Sequence, residues 1–201
     1  MMSNIIELTW PGLGEAINKQ IQEHYLLHRN VSKRLSASRQ SKDISTAQFT
    51  TQTPGYYHLT NWPEQIDFLT EILSGHKINN KFLNHLTIQH SIGNLAAHTD
   101  TFRTMSVIYV VAGPADTVFY RLKDGAGILP AKVFDKSQLV ETERYRLEIN
   151  KWYLFNNSAI HAVENSSSPR TSLTFNLTNI GVFSDFRDAV QNIHNSGVLF
   201  L

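Results

Sequence analysis

LTIQHSIGNLAAHTDTFRTMSVIYVVAGPADTVFYRL, residues 86–122, is where the texture of the chain changes. Short β-branched and aromatic runs follow one another here, broken by turn formers, the mark of β-strands. Leu86–His90, Met105–Val111 and Thr117–Leu122 read as strands, with a turn at Gly113-Pro114. The pattern continues through Ala131–Phe134, Arg144–Ile149, Trp152–Phe155, His161–Val163 and Thr171–Thr178. Lys123-Asp124-Gly125 and Asn150-Lys151 supply further turns. About eight strands at this spacing predict a mainly β domain, a sandwich or jelly roll.

Within this stretch lies His98-Thr99-Asp100, with His161 far downstream. Two imidazoles and one carboxylate are the donor set of a facial triad on non-haem Fe(II), which leaves other positions at the ion open. In a strand, residues i and i+2 point the same way, so His98 and Asp100 are expected to reach one ion from a single segment. His161, after the polar bend Asn156-Asn157-Ser158, is the best third ligand. Nine residues later Arg170, Ser172, Thr174 and Asn176 alternate with Thr171, Leu173, Phe175 and Leu177, the pattern of a half-buried strand. Arg170 and Ser172 then project together. A guanidinium matches a carboxylate with its planar fork, and a buried one calls for an anion. It is the right group for the far carboxylate of a keto acid.

Working outward, the first third reads as helical and irregular. Leu13–His28 places Leu13, Ile17, Ile21, Tyr25 and Leu26 near a 3.6-residue period. Pro63–Leu73 follows the N-cap candidate Asn61 and carries Ile66, Phe68, Leu69 and Ile72 on one stripe. Asn30–Gly55 is polar and reads as a surface loop or lid, and Phe183–His194 as a helix closing one face. We therefore expect one domain over 1–201: an N-terminal part (1–85), a β core (86–179) and a C-terminal helix and tail (180–201). Eighteen basic and seventeen acidic side chains leave a formal charge of +1, no footprint for nucleic acid or an anionic membrane. No cysteine is present, which excludes disulfides, thiolate nucleophiles and iron–sulfur clusters. With no signal peptide at Met1–Trp10, this fits a reducing compartment, and a cytoplasmic location is expected. The 41% hydrophobic content is that of a soluble globular protein.

Taken together, His98-x-Asp100, the distal His161 and Arg170-x-Ser172 resemble the Fe(II)/2-oxoglutarate-dependent oxygenases over roughly Leu86–Asn179. Phe155-Asn156-Asn157-Ser158-Ala159-Ile160-His161, with Val163, Asn165 and Arg170, is similar to the aspartyl/asparaginyl β-hydroxylase-like branch, with a prolyl hydroxylase-like branch as the other candidate. Some members of the former lack the Asp ligand; Asp100 is present here. The resemblance implies a double-stranded β-helix (jelly roll, cupin-like) with flanking helices. It also implies Fe(II) on His98, Asp100 and His161, 2-oxoglutarate chelated to the iron with its 5-carboxylate on Arg170 and Ser172, and O2 as oxidant. The implied products are succinate, carbon dioxide and a hydroxylated amino acid, peptide side chain or small metabolite.

Other residues carry two readings each. Arg103 binds co-substrate or substrate, or forms a surface ion pair. His90 contacts the co-substrate or is a satisfied core histidine, the favoured choice. Asn165 and Asn176 are supporting donors or turn and surface residues. Tyr109 and Tyr120 read as packing residues, and Trp152, Tyr153 and Phe155 as core. His24 and His28 share a helix face at i and i+4 without a His-Glu-x-x-His arrangement, so a solvated face is the better reading. Two further functions stay open: a cupin-like metalloenzyme that does not use 2-oxoglutarate, and a catalytically silent β-helix binding domain.

Overall fold

The computed structural model describes residues 3–28, 33–34, 55–59, 63–73, 86–100, 104–124, 134–166, 168–177 and 186–193. Among the described residues, eleven strands and three α-helices run in the order β1 (Ile5–Leu8), α1 (Glu15–His28), β2 (Lys33–Arg34), β3 (Gly55–Leu59), α2 (Pro63–Leu73), β4 (Leu86–Ile92), β5 (Leu95–His98), β6 (Met105–Ala112), β7 (Ala115–Leu122), β8 (Leu139–Leu147), β9 (Trp152–Asn156), β10 (Ile160–Glu164), β11 (Arg170–Asn176) and α3 (Phe186–Ile193). Two sheets result: β1-β9-β6-β11-β4-β3-β2 and β5-β10-β7-β8. Neighbouring strands are antiparallel throughout. The eight strands β4–β11 divide four and four between the sheets as in a double-stranded β-helix: β4, β6, β9 and β11 in the large one, β5, β7, β8 and β10 in the small one, with β7 and β8 a hairpin within the latter.

The core explains this division. β6 is buried on both faces over almost its whole length, as its unbroken apolar run MSVIYVVA demands. Val107, Tyr109 and Val111 face the helices and pack with Trp152, Leu154, Leu173 and Phe175. Ile21 and Tyr25 of α1, Leu69 and Leu73 of α2 and Ala189 of α3 cover that face. On the opposite face Ile108 and Val110 join Phe119, Leu147, Tyr153 and Phe155 between the sheets. The C-terminal helix thus closes one face, as its sequence predicts.

Several boundaries depart from the sequence reading. α1 begins at Glu15, two residues after the expected Leu13, because Gly14 sits at φ +90°, outside helical space. β8 runs Leu139–Leu147 rather than Arg144–Ile149. Its first half is polar because it is an edge strand with one face in solvent, and Asn150 at φ +67° ends the segment in a turn. β5 carries no clear strand signal, because Leu-Ala-Ala-His is short and weak in strand propensity. β1, β2 and β3 belong to the large sheet, so strand structure is not confined to 86–179. Of the expected strand Ala131–Phe134, residues 131–133 lie outside the described residues, and Phe134 is in no strand; its N–H donates to the carbonyl of Ala97 at 2.8 Å. Most of the loop or lid read at Asn30–Gly55 also lies outside them. Among the described residues no helix is long and apolar enough to cross a membrane.

One turn bears on the site. Gly113, in the expected Gly113-Pro114 turn, has φ +69°, and a Cβ there would run into the carbonyl oxygen of Pro169. The chain can therefore pack this turn directly against the start of β11, where Arg170 begins the strand.

Candidate metal centre

His98 and His161, far apart in the chain, are a directly opposed pair across the antiparallel β5–β10 ladder. Opposed residues hold their Cβ atoms roughly 4.5–5.5 Å apart, and the two rings lie with centroids 4.4 Å from each other. Both are buried, 4% and 5% exposed. Each ring is aimed in the same way: His98 Nδ1 lies 2.7 Å from the carbonyl of Ala96, and His161 Nδ1 lies 2.9 Å from that of Ala159. A carbonyl only accepts, so each Nδ1 carries a proton, and in the neutral ring each Nε2 lone pair is the one a cation could use.

Asp100 completes the set by a different route from the one its spacing suggests. β5 ends at His98, and Asp100 lies beyond the strand, so strand alternation does not aim it. Asn157 does. The Asp100 backbone N–H donates to the Asn157 carbonyl at 3.2 Å, and Asn157 Nδ2 donates to Asp100 Oδ2 at 2.8 Å. Asp100 Oδ1 comes 3.8 Å from His98 Nε2. One ligand atom from each of His98, Asp100 and His161 lies within 4.8 Å of the other two. Two neutral imidazoles and a carboxylate, all converging, fit a divalent transition metal.

The histidines open onto a cavity between the sheets. Gln89, Ser91, Thr117, Asn157 and Arg170 are its polar lining; Leu95, Ile108, Phe155 and Val163 are its apolar walls. Arg170 is 7% exposed and stands opposite Ser91 in the β11–β4 ladder. Ser172 is buried and opposite Gln89, on the same face of β11, but is not part of the cavity lining. Thr117 is: its buried Oγ1 makes no hydrogen bond among the described residues. Its hydroxyl belongs to the same cavity lining as Arg170. Neither Thr117 nor Asn157 stood out in the sequence, where one is a strand residue and the other part of a polar bend. Phe155, read as core, is also a wall of the site, its ring edge-on to His161 at 4.9 Å.

His90 lies on the other face of β4. Gln89 and Ser91 face the cavity, so His90 between them faces the helices. It stacks on Tyr25 of α1 at 4.3 Å, and its Nδ1 is 2.9 Å from Thr171 Oγ1. The ring packs under the helices and is not part of the cavity lining. Arg103 lies outside the described residues, as does the side chain of Asn176. Asn165, at φ +50°, is a turn residue whose amide donates to Asp116 at 2.6 Å, away from the metal centre. Tyr109 donates to Asn18 Oδ1 at 2.9 Å beneath α1, and Tyr120 to Glu164 at 2.5 Å, so neither hydroxyl serves the cavity. His24 does not sit on a plain solvated face either, because its ring stacks on Phe68 of α2 at 3.9 Å.

The half-buried rings of His90 and His24 make stability depend on pH. Burial lowers His90 from its ordinary 6.5 to about 4, and burial with the charge of His28 does the same to His24. Between those values the unfolded chain binds protons that the folded one refuses. The contribution of these two rings is then fully present above pH 6.5 and is lost as pH drops toward 4. Urea unfolding of the metal-free protein at pH 7.5 and 5 should show this loss, and His90→Gln should shrink it. A variant with the wild-type pH slope would remove His90 from the account.

No family model matches the chain, and no curated protein does. Among solved structures it is similar to a Pseudomonas putida prolyl-4-hydroxylase at TM-score 0.50 and 12% identity, covering 86% of this chain and 92% of that one. The fold is the same. A Trichoplax adhaerens prolyl hydroxylase, solved with a peptide of the hypoxia inducible factor oxygen degradation domain, aligns at TM-score 0.49 and 11% identity over 90% of this chain and 88% of its own. The non-heme alpha ketoglutarate dependent epimerase SnoN of nogalamycin biosynthesis aligns at 0.47 and 11% over 85% and 76%. At 12% identity the double-stranded β-helix is what the chain shares with the prolyl-4-hydroxylase.

Proposed function

We propose that the chain is an Fe(II)- and 2-oxoglutarate-dependent oxygenase, a hydroxylase acting on an amino acid, a peptide side chain or another small metabolite. The observation that carries this reading is the convergence of His98, Asp100 and His161 beside a cavity that also holds a buried Arg170. His98 and His161 would hold the iron through Nε2, and Asp100 through a carboxylate oxygen. Arg170, with a hydroxyl from Ser172 on the same strand face or from Thr117 in the same lining, would take the far carboxylate of the keto acid. Leu95, Ile108, Phe155 and Val163 would keep water from the bound co-substrate. With both groups bound, the chemistry supplied is oxidative decarboxylation of 2-oxoglutarate to succinate and carbon dioxide, coupled to insertion of one oxygen atom of O2 into substrate. A cysteine-free chain of near-neutral charge suits a cytoplasmic location and a substrate other than nucleic acid.

Purified protein given Fe(II), ascorbate and 2-oxoglutarate should release succinate above a protein-free control, and faster once an accepted substrate is added. Fe(II) binding without any affinity for 2-oxoglutarate would reject the co-substrate and favour a cupin-like metalloenzyme instead. Binding of neither would leave a scaffold without this chemistry.

A further inference from the structure

We propose that Asn157 is a positioning residue that restricts Asp100 to one metal-facing oxygen, and that Ser106 sets the orientation of the Asn157 amide. This rests on the metal-site reading above and goes beyond it to residues that touch no ion. Asp100 lies off the end of β5, so no ladder hydrogen bond aims its side chain. Asn157 holds it at both ends, accepting its backbone N–H and donating to Oδ2. The oxygen left toward the histidines is Oδ1. A carboxylate that used both oxygens would occupy a further position at the ion. Engaging Oδ2 elsewhere keeps that position open.

An amide can do this in one orientation only. Turned over, Asn157 would present its oxygen to the carboxylate, acceptor against acceptor. Ser106 opposes this, because its Oγ–H donates to Asn157 Oδ1 at 2.7 Å and so leaves Nδ2 toward Asp100. Ser106 and Asn157 are 0% and 1% exposed, so bulk water is no substitute for either contact. The backbone is anchored as well: Asn157 N–H donates to the Thr104 carbonyl at 2.9 Å. The preceding Asn156 is tied to Asn4 by its backbone N–H and its side-chain amide, both at 2.9 Å. The relay thus starts from β6 and the end of β9, both inside the large sheet.

Calorimetric titration with Mn(II), an air-stable probe for the Fe(II) site, tests the relay, with thermal melts of the metal-free proteins in parallel. Asn157→Ala should weaken Mn(II) binding by about 10- to 100-fold, the usual effect of losing a residue that orients a ligand. Ser106→Ala should weaken it in the same direction by less. The double variant should bind no worse than Asn157→Ala, since Ser106 acts only through the amide. Ser106→Ala removes a single oxygen atom and decides the matter if Asn157→Ala fails to fold: unchanged affinity then overturns the proposal. A purely structural role would lower the melts and leave Mn(II) affinity as in wild type, which also overturns it, as would additive losses in the double variant. Wild-type protein that binds no Mn(II) would overturn the metal-site reading itself, and this proposal with it.

Discussion

His161→Ala should abolish metal binding and, with it, all turnover of 2-oxoglutarate. The variant deletes one of three converging donors rather than a residue that supports one. Loss of a support costs about 10- to 100-fold in metal affinity, and loss of the donor itself should exceed that. The fold should survive, because β10 is held through its backbone between β5 and β7. The lost imidazole also leaves its space in a cavity rather than in the packed layer under the helices. Asp100→Ala should behave alike. Asp100→Asn separates charge from shape, since it keeps a metal-facing oxygen but loses the negative charge. Calorimetry with Fe(II) under anaerobic conditions measures the effect, and circular dichroism confirms that the protein is folded. Wild-type affinity in a folded His161→Ala protein would falsify the assignment of this ligand.

Arg170→Ala should leave metal affinity alone and disable co-substrate binding. A guanidinium 7% exposed at the start of β11 is costly to desolvate, and an anionic ligand offsets that cost. Removing one partner of such a buried, hydrogen-bonded charge pair costs about 2–5 kcal/mol, which at about 1.4 kcal/mol per tenfold is roughly 30- to 4,000-fold in 2-oxoglutarate affinity. Arg170→Lys should fall between, because it restores the charge without the planar fork. Titration of the Mn(II)-loaded proteins with 2-oxoglutarate reads the effect directly. A keto acid without the far carboxylate, such as pyruvate, should bind wild type and variant equally weakly. If 2-oxoglutarate binds Arg170→Ala as tightly as wild type, the far carboxylate is held elsewhere, and the Thr117 hydroxyl becomes the first group to examine.

Much of this centre can be read directly from residue types and spacing. Arg170, Ser172 and Thr174 alternate with apolar residues, so their shared face follows from the two-residue period of a strand. His98, Asp100 and His161 are of the right kinds, and the structure brings all three together. Asn157 is a different case. A polar residue in a polar bend looks the same whether it faces solvent or clamps a carboxylate, and only its contacts with Asp100 and Ser106 tell the two apart. Thr117 is likewise one hydroxyl among many strand residues until Arg170 is found lining the same cavity.

The instructive pair is Gln89 and His90. Alternation along β4 dictates that they face opposite ways, but it is silent on which way is inward. The answer comes from the partners: β11 and β3 flank β4, helix α1 covers one side with Tyr25, and the small sheet covers the other. Local chemistry along the chain thus set the strands, their two faces and the residue types of the candidate metal ligands. The pairing of β5 with β10, the hold of Asn157 on Asp100 and the inward side of β4 came from contacts between distant segments. Such contacts depend on register and packing across the whole sheet, which no short window of residues contains.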